Sequence, residues 1–273
     1  MKELFSIIQS SISNFFVRLN PGHVIIAVFL IIILCYMGFS LVAPIKKINQ
    51  LNRMGADSQQ EIPDVYSRIN EHPEFFDLTK NKVFLESRLI MTESDSIGLV
   101  VNIPDSIIAV EIKGITLHTA KIENFRVERF FRALENQTYM NLFSSPSRIE
   151  MYDATIPKEP VIIKKAPKDT AEASKSLVLP DTLQKKPTYI VFTLNNGFRL
   201  FIEQVEEGSF KAAETRIFFR AGNQLKQAGE NFFYMLRFQI PPYNPAIRIH
   251  IARDDAITIY RALPENALVT IKI

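Results

Sequence analysis

The sequence predicts a mainly β domain, antiparallel and sandwich- or barrel-like with a few short helices, carried on a single N-terminal transmembrane helix. Three observations predict it. Residues 24–43 read VIIAVFLIIILCYMGFSLVA, without a charge. Beyond residue 83, short branched apolar runs alternate with turn residues. Composition is that of a folding chain, with 47% apolar and 22% charged residues.

Residues 1–20 place Leu4, Phe5, Ile8, Ile12, Phe15, Phe16 and Leu19 at three- and four-residue steps, with serines, Gln9 and Asn14 between them. That period predicts an amphipathic helix lying in the membrane interface. The alternative is packing on a partner's membrane segment. Asn20-Pro21-Gly22 forms the elbow.

The apolar run follows. As a helix, 24–43 spans roughly 30 Å, the thickness of a bilayer's hydrocarbon core. A cleaved leader has a shorter apolar core and small residues at its end, whereas Pro44-Ile45-Lys46-Lys47 follows here. Lys2 and Arg18 precede the span and Lys46, Lys47 and Arg53 follow it, so charge leaves the orientation nearly balanced, leaning slightly towards a cytoplasmic carboxyl side. Cys35 is the only cysteine and lies in the span. The chain beyond it therefore has no disulfide and no thiolate nucleophile, which fits an oxidising compartment.

Residues 44–82 read as a helical stalk or linker. Ile45, Ile48, Leu51 and Met54 have helical spacing, and a second helical stretch at 64–69 is expected to stop at His72-Pro73. The β-rich domain then covers 83–273. Runs at 97–103, 106–112 and 115–118, divided by Pro104-Asp105 and Lys113-Gly114, predict an antiparallel meander. A short helix with Phe130, Phe131 and Leu134 inward is expected within 127–142. Prolines and lysines crowd 155–188, which predicts a disordered insertion. Residues 189–194 and 198–205 flank Asn195-Asn196-Gly197, a strong hairpin signal. Further strands are expected at 215–219, 232–240 and 268–273.

Near the end, Asn244-Pro245-Ala246-Ile247-Arg248-Ile249 leads to Asp254-Asp255-Ala256-Ile257-Thr258-Ile259-Tyr260, then Leu263-Pro264 and a closing strand. Read locally, this is a strand end, a helix capped by Asp254 or Asp255, a proline stop and a strand. The segment resembles the carboxyl end of the L,D-transpeptidase catalytic domain, where Ser-x-Gly-Cys-Ile/Val-Arg precedes an Asp-Ala-x-x-Leu-Tyr helix. The hairpin over 99–114 also looks like that domain's first hairpin. The likeness covers about forty residues in these two segments. It implies a degenerate, non-catalytic relative: Ala246 occupies the nucleophile's place, Pro245 and Asn244 replace the residues before it, and 219–245 lacks the histidine. Arg248 alone matches, as a structural or anion-holding residue.

Other chemistry is sparse. His23, His72, His118 and His250 lack helical i, i+4 partners, so no metal and no cofactor are expected. His118 and His250 read as partly buried strand residues, with a binding role as the alternative. Nine glycines in the whole chain argue against ligand-cradling loops, and a net charge of +3 against nucleic acid. Asp95-Ser96-Ile97, Asp105-Ser106-Ile107, Asp169-Thr170-Ala171 and Asp181-Thr182-Leu183 resemble an O-glycosylation acceptor pattern of some Gram-negative envelopes. Turn chemistry accounts for the first two as well.

The expected protein is a single-pass bacterial inner-membrane protein with a periplasmic head. That head would bind or scaffold envelope proteins or peptidoglycan beside the lipid bilayer. Two alternatives remain: an enzyme acting on the cell wall with a non-cysteine nucleophile such as Ser209, and a cytoplasmic-facing adaptor.

Overall fold

A computed structural model describes residues 21–57, 73–158, 187–205, 210–237 and 239–273. The interfacial helix expected at 1–20, most of the stalk beyond Asp57, the middle of the 155–188 insertion and Ser209 lie outside the described residues. The chain divides into two compact units, Met1–Lys47 with Lys226–Pro242, and Ile48–Leu225 with Tyr243–Ile273.

Helix α1 covers Pro21–Asp57. Its segment Ile25–Arg53 is long and apolar enough to cross a membrane; an 18-residue window within it has a mean hydropathy of 2.9 and none of that window is buried. Pro44 does not end the helix, contrary to its place as a boundary in the sequence. A proline mid-helix removes one N–H donor, a loss that helices near a membrane tolerate when neighbouring groups re-satisfy the backbone.

Helix α2, Pro73–Thr92, corrects two expectations. Pro73 begins a helix rather than stopping one, because a first-turn proline forfeits an N–H that has no partner there. The chain also stays helical through 83–92, where strands were expected. Val83, Phe84, Ser87 and Met91 recur at helical spacing and are buried.

Among the described residues, nine strands form one mixed sheet: β1 Gly98–Asn102, β2 Ile107–Ile112, β3 Ile115–Lys121, β4 Asn124–Val127, β5 Ser147–Ala154, β6 Tyr189–Leu194, β7 Arg199–Gln204, β8 Ala246–Ile251 and β9 Leu268–Lys272. Their order is β3-β2-β1-β9-β5-β6-β7-β8-β4. The meander β1-β2-β3 and the hairpin β6-β7 are antiparallel, as the sequence predicts. In the hairpin, Gly197 N donates to Leu194 O and only the glycine takes a left-handed φ, of +80°. The purely antiparallel expectation fails at β1–β9 and β7–β8, which are parallel. Parallel neighbours need a crossover of a dozen or more residues, and helix α4, Phe210–Leu236, lies in the one between β7 and β8. That helix replaces the strands expected at 215–219 and 232–240.

The sheet curls until its edges meet. Strands β3 and β4 lie at opposite edges, yet only Ile122 and Glu123 separate them. Ile122 N donates to Ser106 O beside β2, and Glu123 N donates to His250 O of β8. Two residues span at most about 10 Å, so the two edges come together at this corner. The result is a curled mixed sheet accompanied by several helices.

Its inner side holds one core. Leu99, Val101, Ile108, Val110, Phe192, Leu200, Ile249 and Ile271 are among the residues that meet there. Each such side chain taken fully out of water contributes about 1.5–3 kcal/mol. The 3-10 turn Arg129–Ala133, helix α3 (Asn136–Phe143) and helix α5 (Arg253–Ala262) pack into the same core. Phe130, Phe131 and Leu134 are inward, as expected, but the single helix expected over 127–142 is split: Val127 ends β4, and the extended Leu134 and Glu135 separate the 3-10 turn from α3. Ala252, without a side-chain bond, is the N-cap of α5; Asp254 and Asp255 lie in its first turn, favoured there by the helix dipole. Residues at both ends of the 155–188 stretch are described and bonded to one another. Thr155 Oγ1 donates to Pro187 O at 2.7 Å and accepts from Tyr189 N at 2.9 Å.

Candidate functional site

Alternation along β7 and β8 decides what each residue faces. Leu200, Ile202, Ile247, Ile249 and Ile251 enter the main core. Arg199, Phe201, Glu203, Ala246, Arg248 and His250 therefore project from the opposite face. The parallel register aligns Arg199 with Ala246, Phe201 with Arg248, and Glu203 with His250.

Ala246 is 4% exposed and packs with Val191, Phe201 and Phe219 of α4. The position that the resemblance assigns to a nucleophile is thus a methyl group inside a filled apolar cluster. Asn244 lies against the β6–β7 turn, where a Cβ on Gly197 would come 3.2 Å from its Oδ1. Pro245 is buried, and its carbonyl accepts from Arg199 N at 2.9 Å.

The charged residues of this face are held tightly. Glu203, 1% exposed, accepts from Arg220 Nε at 3.2 Å and pairs with Arg220 Nη2. His250 Nε2 lies 4.0 Å from Glu203 Oε2. The Arg248 and Arg199 guanidinium groups lie 4.8 and 5.0 Å from the Phe201 ring centre. Arg199 also donates to Asn223 Oδ1 at 3.0 Å, and Asn223 in turn donates to Phe219 O at 3.1 Å. Burial pulls the Arg248 guanidinium below its ordinary pKa; the Glu203 charge opposes this and Arg220 reinforces it. Arg248 Nε is buried without a hydrogen-bond partner among the described residues. Arginine remains charged under such a shift, so the face keeps a cation stacked on an aromatic ring.

His118 is elsewhere. It pairs with Val110, a main-core residue, and so belongs to the other face of the sheet. Its Nε2 lies 2.9 Å from Asp255 Oδ1. The structure thus brings Ala246, Arg248 and His250 together and leaves His118 apart. No three His, Cys, Asp or Glu side chains gather closely enough to hold a metal among the described residues.

A second feature was not foreseen. An open cleft of about 640 Å³ is lined by Asp95, Tyr152, Lys158, Arg261, Pro264 and Glu265, among others. Lys158 Nζ lies 4.8 Å from the Tyr152 ring centre and 5.6 Å from that of Tyr260. Burial lowers the Lys158 pKa, and the Glu265 carboxylate works against that. Tyr152 donates its hydroxyl to Glu265 Oε1 at 3.3 Å.

Sequence reasoning missed Glu203, Arg220 and the whole cleft. Glu203 carried a signal: a carboxylate inside the apolar strand FIEQ has to meet a cation once that strand is covered on both faces. The cleft joins residues far apart in the chain and carried none. Comparison with protein-family models, with curated proteins and with solved structures finds no match.

Proposed function

We propose that this chain is a single-pass membrane protein of a bacterial cell envelope, anchored in the inner membrane by α1. Its periplasmic β-rich head binds or scaffolds envelope proteins or peptidoglycan and performs no acyl transfer. The observation that carries this reading is Ala246. At the position where an L,D-transpeptidase-like chain needs a thiolate, this chain has a methyl group sealed beneath Phe219. A methyl group forms no acyl-enzyme, and the cluster around it is filled, so binding falls to another surface of the head. Confinement beside the bilayer raises the effective concentration of partners on the same membrane.

The open cleft is the proposed contact. Lys158 and Arg261 supply cations, Asp95 and Glu265 supply carboxylates, and Tyr152 supplies an aromatic wall. That set fits a short peptide bearing both charge signs. Purified full-length protein incubated with a β-lactam is expected to carry no covalent adduct by intact mass. An adduct would overturn the non-catalytic reading. Calorimetric titration with soluble peptidoglycan fragments is expected to show binding that Glu265→Ala weakens about tenfold, the loss of one charged contact.

A further inference from the structure

Strand β4 pairs with β8 so that Arg126 stands directly opposite Arg248. Cross-strand partners share a face, and Arg248 is on the side away from the main core, so both side chains leave the sheet there together. Like charges placed in this way weaken a strand pair unless an opposite charge offsets them. Arg220, Glu203 and Glu128 also lie close enough to act on the Arg248 charge. The Glu203 carboxylate is taken up by Arg220, and Glu128 accepts the Tyr243 hydroxyl at 2.6 Å. Neither carboxylate forms a salt bridge with Arg126 or Arg248 among the described residues.

Arg248 is held ready for a ligand. Its guanidinium is stacked 4.8 Å from the Phe201 ring centre, and its Nε is buried without a hydrogen-bond partner among the described residues. A buried donor in that state calls for an acceptor from outside the chain, a water or an ion. Arg126 is exposed, on a strand at the edge of the sheet, so the pair is open to solvent from that side.

We propose that Arg126 and Arg248 bind a phosphate-type oxyanion between them. A carboxylate fills one guanidinium fork, whereas the oxygens of a tetrahedral phosphate accept from two forks at once. Arg126, Arg220 and Arg248 outnumber Glu203 and Glu128, so a bound anion also balances the local charge. Arg220 stays with Glu203 and does not contribute a donor. The site shares no lining residue with the open cleft, and it needs neither the transpeptidase resemblance nor the membrane anchor.

Thermal unfolding of the full-length protein in a neutral detergent, at constant pH and ionic strength, provides the test. Sodium chloride is exchanged stepwise for inorganic phosphate, glycerol 3-phosphate or glycerophosphoglycerol. These stand for the free ion, a phosphomonoester and the phosphodiester of a lipid headgroup. A ligand of the folded state raises the unfolding midpoint with its concentration. At least one of the three is expected to do so, and the strongest names the source of the phosphate; no rise with any of them overturns the site. Arg126→Gln is expected to unfold no earlier than wild type in chloride, because it removes a like-charge neighbour. The same variant is expected to weaken the apparent affinity at least about tenfold. Arg248→Lys keeps the charge but loses the fork, and is expected to weaken it similarly. Midpoint rises of equal size in wild type and Arg126→Gln are a general salt effect and overturn the site. So does a response to acetate as large as that to phosphate, which would assign a carboxylate to a single fork. An Arg126→Gln protein less stable than wild type in chloride would show that Arg126 has a structural partner, and overturns the proposal as well.

Discussion

Glu203 is almost wholly out of water, with Arg220 against its carboxylate and His250 at 4.0 Å. Removing it by Glu203→Ala leaves Arg220 and Arg248 facing one another without a counter-charge. Breaking a buried pair in this way costs roughly 3–5 kcal/mol, and the lower end applies because Arg220 keeps 36% of its side chain exposed. Denaturant titration of the full chain in detergent measures it. Tyr139 gives a pH-dependent counterpart. Burial raises its pKa to about 12, against 10.0 for the free side chain. The folded state then holds a proton that the unfolded chain releases, so the stability tied to this proton is complete below pH 10. It is lost as pH rises towards 12, by roughly 2–3 kcal/mol. Tyr139→Phe is expected to flatten part of that alkaline slope; Tyr243, also raised by burial and by Glu128, supplies another part. Of these residues only Arg248, through a resemblance, and His250, as a strand histidine, stood out in the sequence. Glu203 and Tyr139 take their properties from burial, which depends on helices and strands far away in the chain.

Helix α2 meets the sheet through Gly98. A Cβ there would overlap Met91 Sδ and lie 3.1 Å from Leu268 O. Gly98→Ala is therefore expected to cost about 1–3 kcal/mol through over-packing. In a Met91→Ala background the added cost should shrink, and a double-mutant cycle reads the difference. At the hairpin, Gly197→Ala forces an L side chain to φ +80°, at a cost of about 1–2 kcal/mol. Thermal unfolding of each variant checks both figures. Strands β1, β2, β6, β7 and β9 were legible because branched apolar runs end at turn residues. Helix α4 was not. Phe218-Phe219 and Phe232-Phe233 read as strand formers when taken in short windows. Over all 27 residues, Ala, Leu, Met, Gln, Glu, Lys and Arg together make up 15, and these favour helix. Helix α2 was lost to the opposite error, since Pro73 reads as a terminator unless its place in the first turn is known.

At the scale of the molecule, α1 predicts that the intact chain stays in the membrane fraction through an alkaline carbonate wash and needs detergent for release. Recovery from the soluble fraction would refute the anchor. A compartment-sensitive reporter fused after Ile273 is expected to be active on the periplasmic side. The lipid-length run was legible from composition alone, because an uncharged stretch of that length has few other uses. The curled, mixed topology was not, because no local pattern says that β9 will lie between β1 and β5.

That placement of β9 governs the order of events as the chain is made. Residues 268–272 join β3-β2-β1 to the strands from β5 to β4, in parallel with β1 and antiparallel with β5. Until a ribosome has released them, the nascent head is two strand groups without their seam, and α1 has long since emerged. These pairings join positions more than a hundred residues apart, so they close slowly.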